Sequence, residues 1–328
     1  MPLFAMLSAL VLTAAPLPAD VGLGVPSPGP QPIIGGDSVA LSEWPSVVAL
    51  VGIQGGFTSN TANLCTGVLL DPQTVLTAAH CLEGAEDFDQ ILVVFGDTIY
   101  TVDDNRRTTG VDFGVHPGFC LGECDEDVYD FGYVVLAEPV QGVSTIPPLV
   151  DQAEWDELMV ADHEVLLVGY GAIRDAEAED SSPPLKTDEV GHKRAVTTVL
   201  NSLSSTGLEF FAGQEGRDTC NGDSGGPVFA QLESGEWRLV GITSRGVSPC
   251  GSGRGVYGVP YAVLPWIAEE TGVELLPASC AEARCLDIAP SEEKGRCSVV
   301  SLEESRAPSL LGLGLLVLSV VGRRRRSY

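Results

Sequence analysis

The chain has 328 residues, 44% hydrophobic, 6% aromatic and 19% charged, with 38 Gly, 22 Pro and 9 Cys. That length allows one large domain or two smaller ones around a sizeable core, and the modest charged fraction excludes a disordered polyelectrolyte. Asp and Glu number 45 against 18 Lys and Arg, a net charge of −27, which speaks against a nucleic-acid partner and would attract cationic ones.

Only the two ends carry sustained apolar runs, so a polytopic membrane protein is excluded. Residues 1–19 read as a signal peptide. Leu3 to Ala15 is rich in Leu and Ala and is followed by small residues, although no Lys or Arg precedes it. A buried N-terminal helix is the rival reading. Residues 20–32 form a Pro-rich pro-segment in which every second residue from Pro26 to Pro32 is proline. Such alternation gives a stiff, extended polyproline II spacer, and it ends directly before Ile33-Ile34-Gly35-Gly36.

Three short segments carry chemistry. Leu76-Thr77-Ala78-Ala79-His80-Cys81 ends a run of small residues on a histidine. Tyr129-Asp130-Phe131 places an acid at the start of an apolar strand, and Cys220-Asn221-Gly222-Asp223-Ser224-Gly225-Gly226-Pro227 surrounds a serine with glycines. A serine hydroxyl is a poor nucleophile until a base takes its proton, and the base needs a third group to fix its tautomer. Glycines let backbone N–H groups approach a reacting carbonyl without a Cβ in the way. In the order His80, Asp130, Ser224, and over Ile33 to about Ile267, these segments resemble the trypsin-like (chymotrypsin-fold) serine peptidases. The esterase order Ser, acid, His does not fit.

The resemblance implies an all-β fold of two antiparallel six-stranded barrels with a C-terminal helix, over residues 33–270. It implies Ser224 as nucleophile, His80 as base, Asp130 as its orienting acid, and the N–H groups of Gly222 and Ser224 as the oxyanion hole. Asp218, six before the nucleophile, falls at the base of the primary pocket, with Gly246 and Gly255 at the wall positions and Ser244 on the lining strand. A carboxylate in a narrow slot pairs with Arg or Lys, so cleavage after those residues is expected. Arg245 stands where an aromatic is usual, and its charge should repel basic residues upstream of the cut bond. Ile33 corresponds to the new N-terminus formed on activation, whose amine would pair with Asp223. Pro32 rules out a trypsin-like cut there, so the activating peptidase is open. An Xaa-Pro dipeptidyl peptidase could trim the pro-segment stepwise, while the plain spacer reading needs none.

Nine cysteines in an exported chain imply disulfides with one left over. By resemblance Cys65 pairs with Cys81 and Cys220 with Cys250. Cys120 with Cys124 and Cys280 with Cys285 are close enough for local bridges, though spacing does not prove connectivity. Residues 271–296 read as a linker or stalk. Residues 297–328 join Cys297, an apolar segment from Ala307 to Gly322 and Arg323 to Arg326. Those three parts resemble the C-terminal sorting tails of myxobacterial surface proteins (the MYXO-CTERM type), with an ordinary tail anchor as the rival; Cys297 is then the odd cysteine, and a free reactive thiol is the rival reading of it. His116 is read as structural, Tyr170 as standing where the family usually has Trp, and His163 and His192 as solvated or packed.

No metal or cofactor is required. Asp97, Asp103 and Asp104 do not match the EF-hand pattern and are left unassigned. The expected partners are protein or peptide substrates bearing Arg or Lys, and the membrane through the tail before processing. The chain is expected to act as an exported monomer. The competing function is a catalytically silent, protease-like binding module on the cell surface.

Overall fold

The computed structural model describes residues 32–54, 62–101, 103–122, 124, 128–175, 184–277, 280 and 285–286. The readings of the signal peptide, of the pro-segment before Pro32 and of the tail from Cys297 fall outside those residues.

The first barrel is built from β-branched and aliphatic runs that favour extended chain. After the two-residue strand β1 (Asp37–Ser38), β2 (Val47–Ile53) pairs antiparallel with β3 (Ala62–Leu69) and with β5 (Gln90–Val94). β4 (Thr74–Thr77) joins β3 to β7 (Gly132–Leu136), and β6 (Arg107–Val115) joins β7 back to β5. The six strands close, so no sheet edge is left open.

The second barrel runs β8 (Glu164–Gly169), β9 (Arg194–Leu203), β10 (Glu209–Ala212), β13 (Gly255–Gly258), β12 (Trp237–Arg245) and β11 (Pro227–Gln231), closing where β8 meets both β9 and β11. β1 adds to the outside of β9. The fold is therefore the expected pair of closed antiparallel six-stranded barrels. Phe131, Val168, Phe229, Leu239 and Ile242 share one buried cluster with Val47, Ala49, Val68 and Leu76, so apolar burial joins the barrels face to face. The short C-terminal helix Leu264–Thr271 presses Ile267 into that cluster and stops at Gly272, which takes the left-handed φ of +74°.

The chain beyond this helix differs from the expected stalk. Leu286 is fully buried in the core of the second barrel, and the Tyr261 hydroxyl accepts the N–H groups of Cys285 and Leu286 at 3.0 and 3.3 Å. One leucine in a mostly polar stretch carries no periodicity, which is why the sequence hid it. Cys280 and Cys285 are bridged beside it. Among the described residues no helix is long and apolar enough to cross a membrane.

Tyr170 explains how a smaller ring replaces the expected Trp. Its hydroxyl, fully buried, hydrogen-bonds the carbonyls of Gly96 (2.6 Å) and Val47 (3.3 Å) in the first barrel. Lys193, 1% exposed, lies over the same ring and donates Nζ to the carbonyl of Trp44 at 3.0 Å. Burial pulls the Lys193 amine down to about 8. Tyr170→Phe removes the one proton that these two buried carbonyls share and should cost about 1–3 kcal/mol in urea denaturation.

Candidate active site

His80 sits in the one-turn 3-10 helix Ala79–Cys81 that follows β4, and the Cys65–Cys81 disulfide ties that turn back to β3. Asp130 precedes β7 and is 3% exposed. Its Oδ1 accepts the His80 backbone N–H at 3.0 Å, and its Oδ2 lies 2.8 Å from His80 Nδ1. The Ser244 hydroxyl, at the end of β12, donates to the same Oδ2 at 2.7 Å. A carboxylate only accepts, so a neutral imidazole here carries its proton on Nδ1 and its lone pair on Nε2.

Ser224 lies on the loop between the Cys220–Cys250 disulfide and β11. That loop is fastened to both barrels. The Ser224 carbonyl accepts the Thr66 N–H at 2.9 Å, the Gly222 carbonyl accepts the Thr66 hydroxyl at 2.9 Å, and the Gly225 N–H donates to the Thr243 carbonyl at 2.8 Å. Gly225 has a φ of +77°, and a Cβ there would lie 2.0 Å from Thr77 Oγ1, so both backbone and space demand glycine. Among the described residues the N–H groups of Gly222 and Ser224 have no acceptor. Thr66 carries no sequence signal of this clamping role; only the fold brings it to the loop.

A cavity of about 280 Å³ opens beside Ser224, and Asp218, Thr243, Ser244 and Gly246 line it. Asp218 is 3% exposed and receives the N–H groups of Thr219 (2.9 Å), Gly253 (2.9 Å) and Arg254 (3.3 Å). Burial nevertheless pushes its carboxyl above the usual range. Asp175 is a second acid of the lining, absent from the sequence reading; it accepts the Ser248 hydroxyl at 3.0 Å. Gly255 does not line the cavity. It is buried on β13, where the Tyr257 hydroxyl would stand 2.3 Å from an added Cβ.

Arg245 departs from expectation. Instead of standing as an unbalanced cation, it makes a two-pronged pair with Glu209, Nη1 to Oε1 at 2.7 Å and Nη2 to Oε2 at 2.8 Å. Glu209 escaped the sequence reading because it reaches Arg245 across the sheet from β10.

Ile33 is fully buried in the core of the second barrel while still joined to Pro32, and Ile34 bridges Asp218 through its carbonyl at 3.2 Å. Ile33 holds φ at +32°, a strained value for a β-branched residue. Asp223 is fully buried. Its oxygens accept the N–H groups of Gly171 (2.8 Å) and Cys220 (2.9 Å), and it packs where Gly169 and Gly171 have no Cβ. Burial raises its carboxyl to about 7.

His116 stacks on Tyr129, meets Trp266 edge-on and takes the Gly118 N–H on Nδ1; burial lowers it to about 4. Of the acids left unassigned, Asp97 and Asp103 face the Arg106 guanidinium. Cys65, His80 and Cys81 lie close together, but their sulfurs are spent in the disulfide and offer no thiolate to a metal. All four expected bridges are present among the described residues.

Two closed barrels with an imidazole, a buried acid and a glycine-flanked serine define a peptidase of the chymotrypsin-like fold. The sequence model of the Trypsin family matches residues 33–267. Spermosin of Halocynthia roretzi is 28% identical over 81% of this chain and 70% of its own length. Venom plasminogen activator Haly-PA of Gloydius brevicauda is 31% identical over 72% and 85%, and the proclotting enzyme of Tachypleus tridentatus 29% identical over 72% and 65%. The chain belongs to the trypsin family and is a serine endopeptidase.

Asp223 generates a pH dependence in the uncut chain. Unfolded, it ionises near 4; folded, near 7. Between those values the folded state holds the extra proton, so stability falls as pH rises. His116, lowered to about 4, acts in the opposite sense over part of this range, so the urea midpoint of the parent relative to that of Asp223→Asn should fall between about pH 4.5 and 7.5.

Proposed function

We propose that the protein is exported and hydrolyses protein substrates after Arg or Lys. The observation that carries this is Asp218, a carboxylate with 3% exposure in the lining of the cavity beside Ser224. A guanidinium or ammonium entering that cavity supplies the counter-charge its burial lacks, whereas an apolar side chain does not. Gly246 keeps one wall open: a Cβ there would meet nothing nearer than the Arg254 carbonyl at 3.8 Å. The plasminogen activator among the relatives favours protein over small substrates.

In this reading His80 Nε2 takes the Ser224 proton as Oγ attacks the scissile carbonyl, and the N–H groups of Gly222 and Ser224 receive the oxyanion. Collapse breaks the C–N bond, and His80 returns the proton to the leaving amine. Water, deprotonated by the same imidazole, then releases the acyl group. Asp130 holds the tautomer and balances the imidazolium, and Ser244 holds Asp130.

Cleavage before Ile33 activates the enzyme. The cut frees Ile33 from its strained φ and creates an amine that pairs with Asp223, whose buried carboxylate otherwise has only backbone donors. Stepwise removal of Xaa-Pro dipeptides would stop at Ile33. The disulfides fit an oxidising compartment. The apolar N-terminus and the sorting-type tail from Cys297 fit export and surface attachment.

A fluorophosphonate should label the processed protein and not Ser224→Ala, whose kcat should fall about 10³-fold or more. Lack of labelling in correctly processed protein would favour the silent binding module. In a peptide library Asp218→Ser should lose its preference for Arg and Lys by about 100-fold or more. Edman sequencing of active, secreted enzyme should begin at Ile33.

A further inference from the structure

The Arg245–Glu209 pair reaches the active site through one more contact. Arg245 Nη1, besides meeting Glu209 Oε1, donates to Ser244 Oγ at 3.4 Å, and Ser244 Oγ donates to Asp130 Oδ2 at 2.7 Å. Asp130 Oδ2 in turn faces His80 Nδ1 at 2.8 Å. Four hydrogen-bonded links thus connect Glu209 to the imidazole. Glu209 is 3% exposed, and its Oε1 also accepts the N–H of Val128 at 3.3 Å, two residues before Asp130.

We infer that Arg245 and Glu209 are positioning residues that aim the Ser244 proton at Asp130 and set the charge felt by His80. This inference rests on the triad reading of His80, Asp130 and Ser224. A serine hydroxyl has one proton and two lone pairs, whereas a guanidinium only donates. With Arg245 on one lone pair, Ser244 keeps its single proton for the carboxylate. Glu209 holds the guanidinium plane by two bonds and cancels its charge, so the site gains a donor without a net cation. Through Val128 the same carboxylate holds the segment that carries Asp130. The two residues work as a unit: Arg245 alone would bring an unbalanced cation to the triad, and Glu209 alone a buried anion.

The test is an NMR titration of His80 in the full chain, in which four histidines keep assignment tractable. His80 is the resonance lost in His80→Gln. Other titratable groups on the packed elements are Tyr129 and its stacking partner His116, and Asp218 and Asp175 in the cavity lining; all stay unchanged. Glu209→Gln keeps the size of the side chain but uncovers the Arg245 charge, so the His80 midpoint should fall by about 0.5 to 1 unit. Adding Arg245→Met to Glu209→Gln removes that charge and should return the midpoint to within about 0.3 units of the parent. A purely structural pair predicts no such reversal. An unmoved midpoint in Glu209→Gln, or the same shift in the double variant, overturns the inference. Should Glu209→Gln fail to fold by near-UV circular dichroism, Glu209→Met with Arg245→Met replaces both buried charges by apolar groups. It should fold with a His80 midpoint within about 0.3 units of the parent, whereas single Arg245→Met, which uncovers the Glu209 charge, should raise that midpoint; an unmoved midpoint in Arg245→Met overturns the inference. Fluorophosphonate labelling of the parent separately judges the triad reading, because the titration needs no turnover.

Discussion

Asp130 is the group on which the two halves of the molecule converge. Its side chain is buried between the barrels, and each oxygen is engaged: one by the His80 backbone, the other by the His80 ring and the Ser244 hydroxyl. His80 belongs to the turn after β4 and Ser244 to the end of β12, so a single carboxylate spans the seam. Burying an acid this deeply is tolerable because its acceptor sites are filled by donors fixed in separate barrels. Any slippage of one barrel against the other would cost those bonds together. The apolar cluster behind, with Phe131 and Ile242 meeting Val47 and Leu76, resists that slippage.

Four other buried charges are handled in different ways. Asp223 and Asp218 keep mainly backbone donors and are pushed upward by desolvation. Glu209 has a matched guanidinium. Lys193 has carbonyl oxygens and an aromatic face. Each solution leaves a different residue of chemistry. In the proposed reading the first pair receives a cation, from a substrate side chain or from a liberated amine, whereas the Glu209 pair is already complete.

Much of the fold was legible because the signals are local. The glycines around Ser224, the small-residue run before His80 and the apolar strand after Asp130 each report one tight backbone environment. Their order along the chain ties them to one topology. The local cysteine pairs were visible for the same reason, since Cys120–Cys124 and Cys280–Cys285 close short loops. What stayed hidden depends on cross-strand geometry. Glu209 meets Arg245 only because β10 and β12 flank β13. Thr66 clamps the nucleophile loop only because β3 runs beneath it. Gly255 was read as a pocket wall because its position matched, but the space beside it belongs to the Tyr257 hydroxyl.

Leu286 places the outer limit of the body further along the chain than the C-terminal helix. With its side chain filling the interior of the second barrel and its N–H held by Tyr261, the segment beyond Thr271 acts as a plug. Severing the polypeptide past that plug would leave the packing of Leu286 intact. A nick on its upstream side would instead uncork the core.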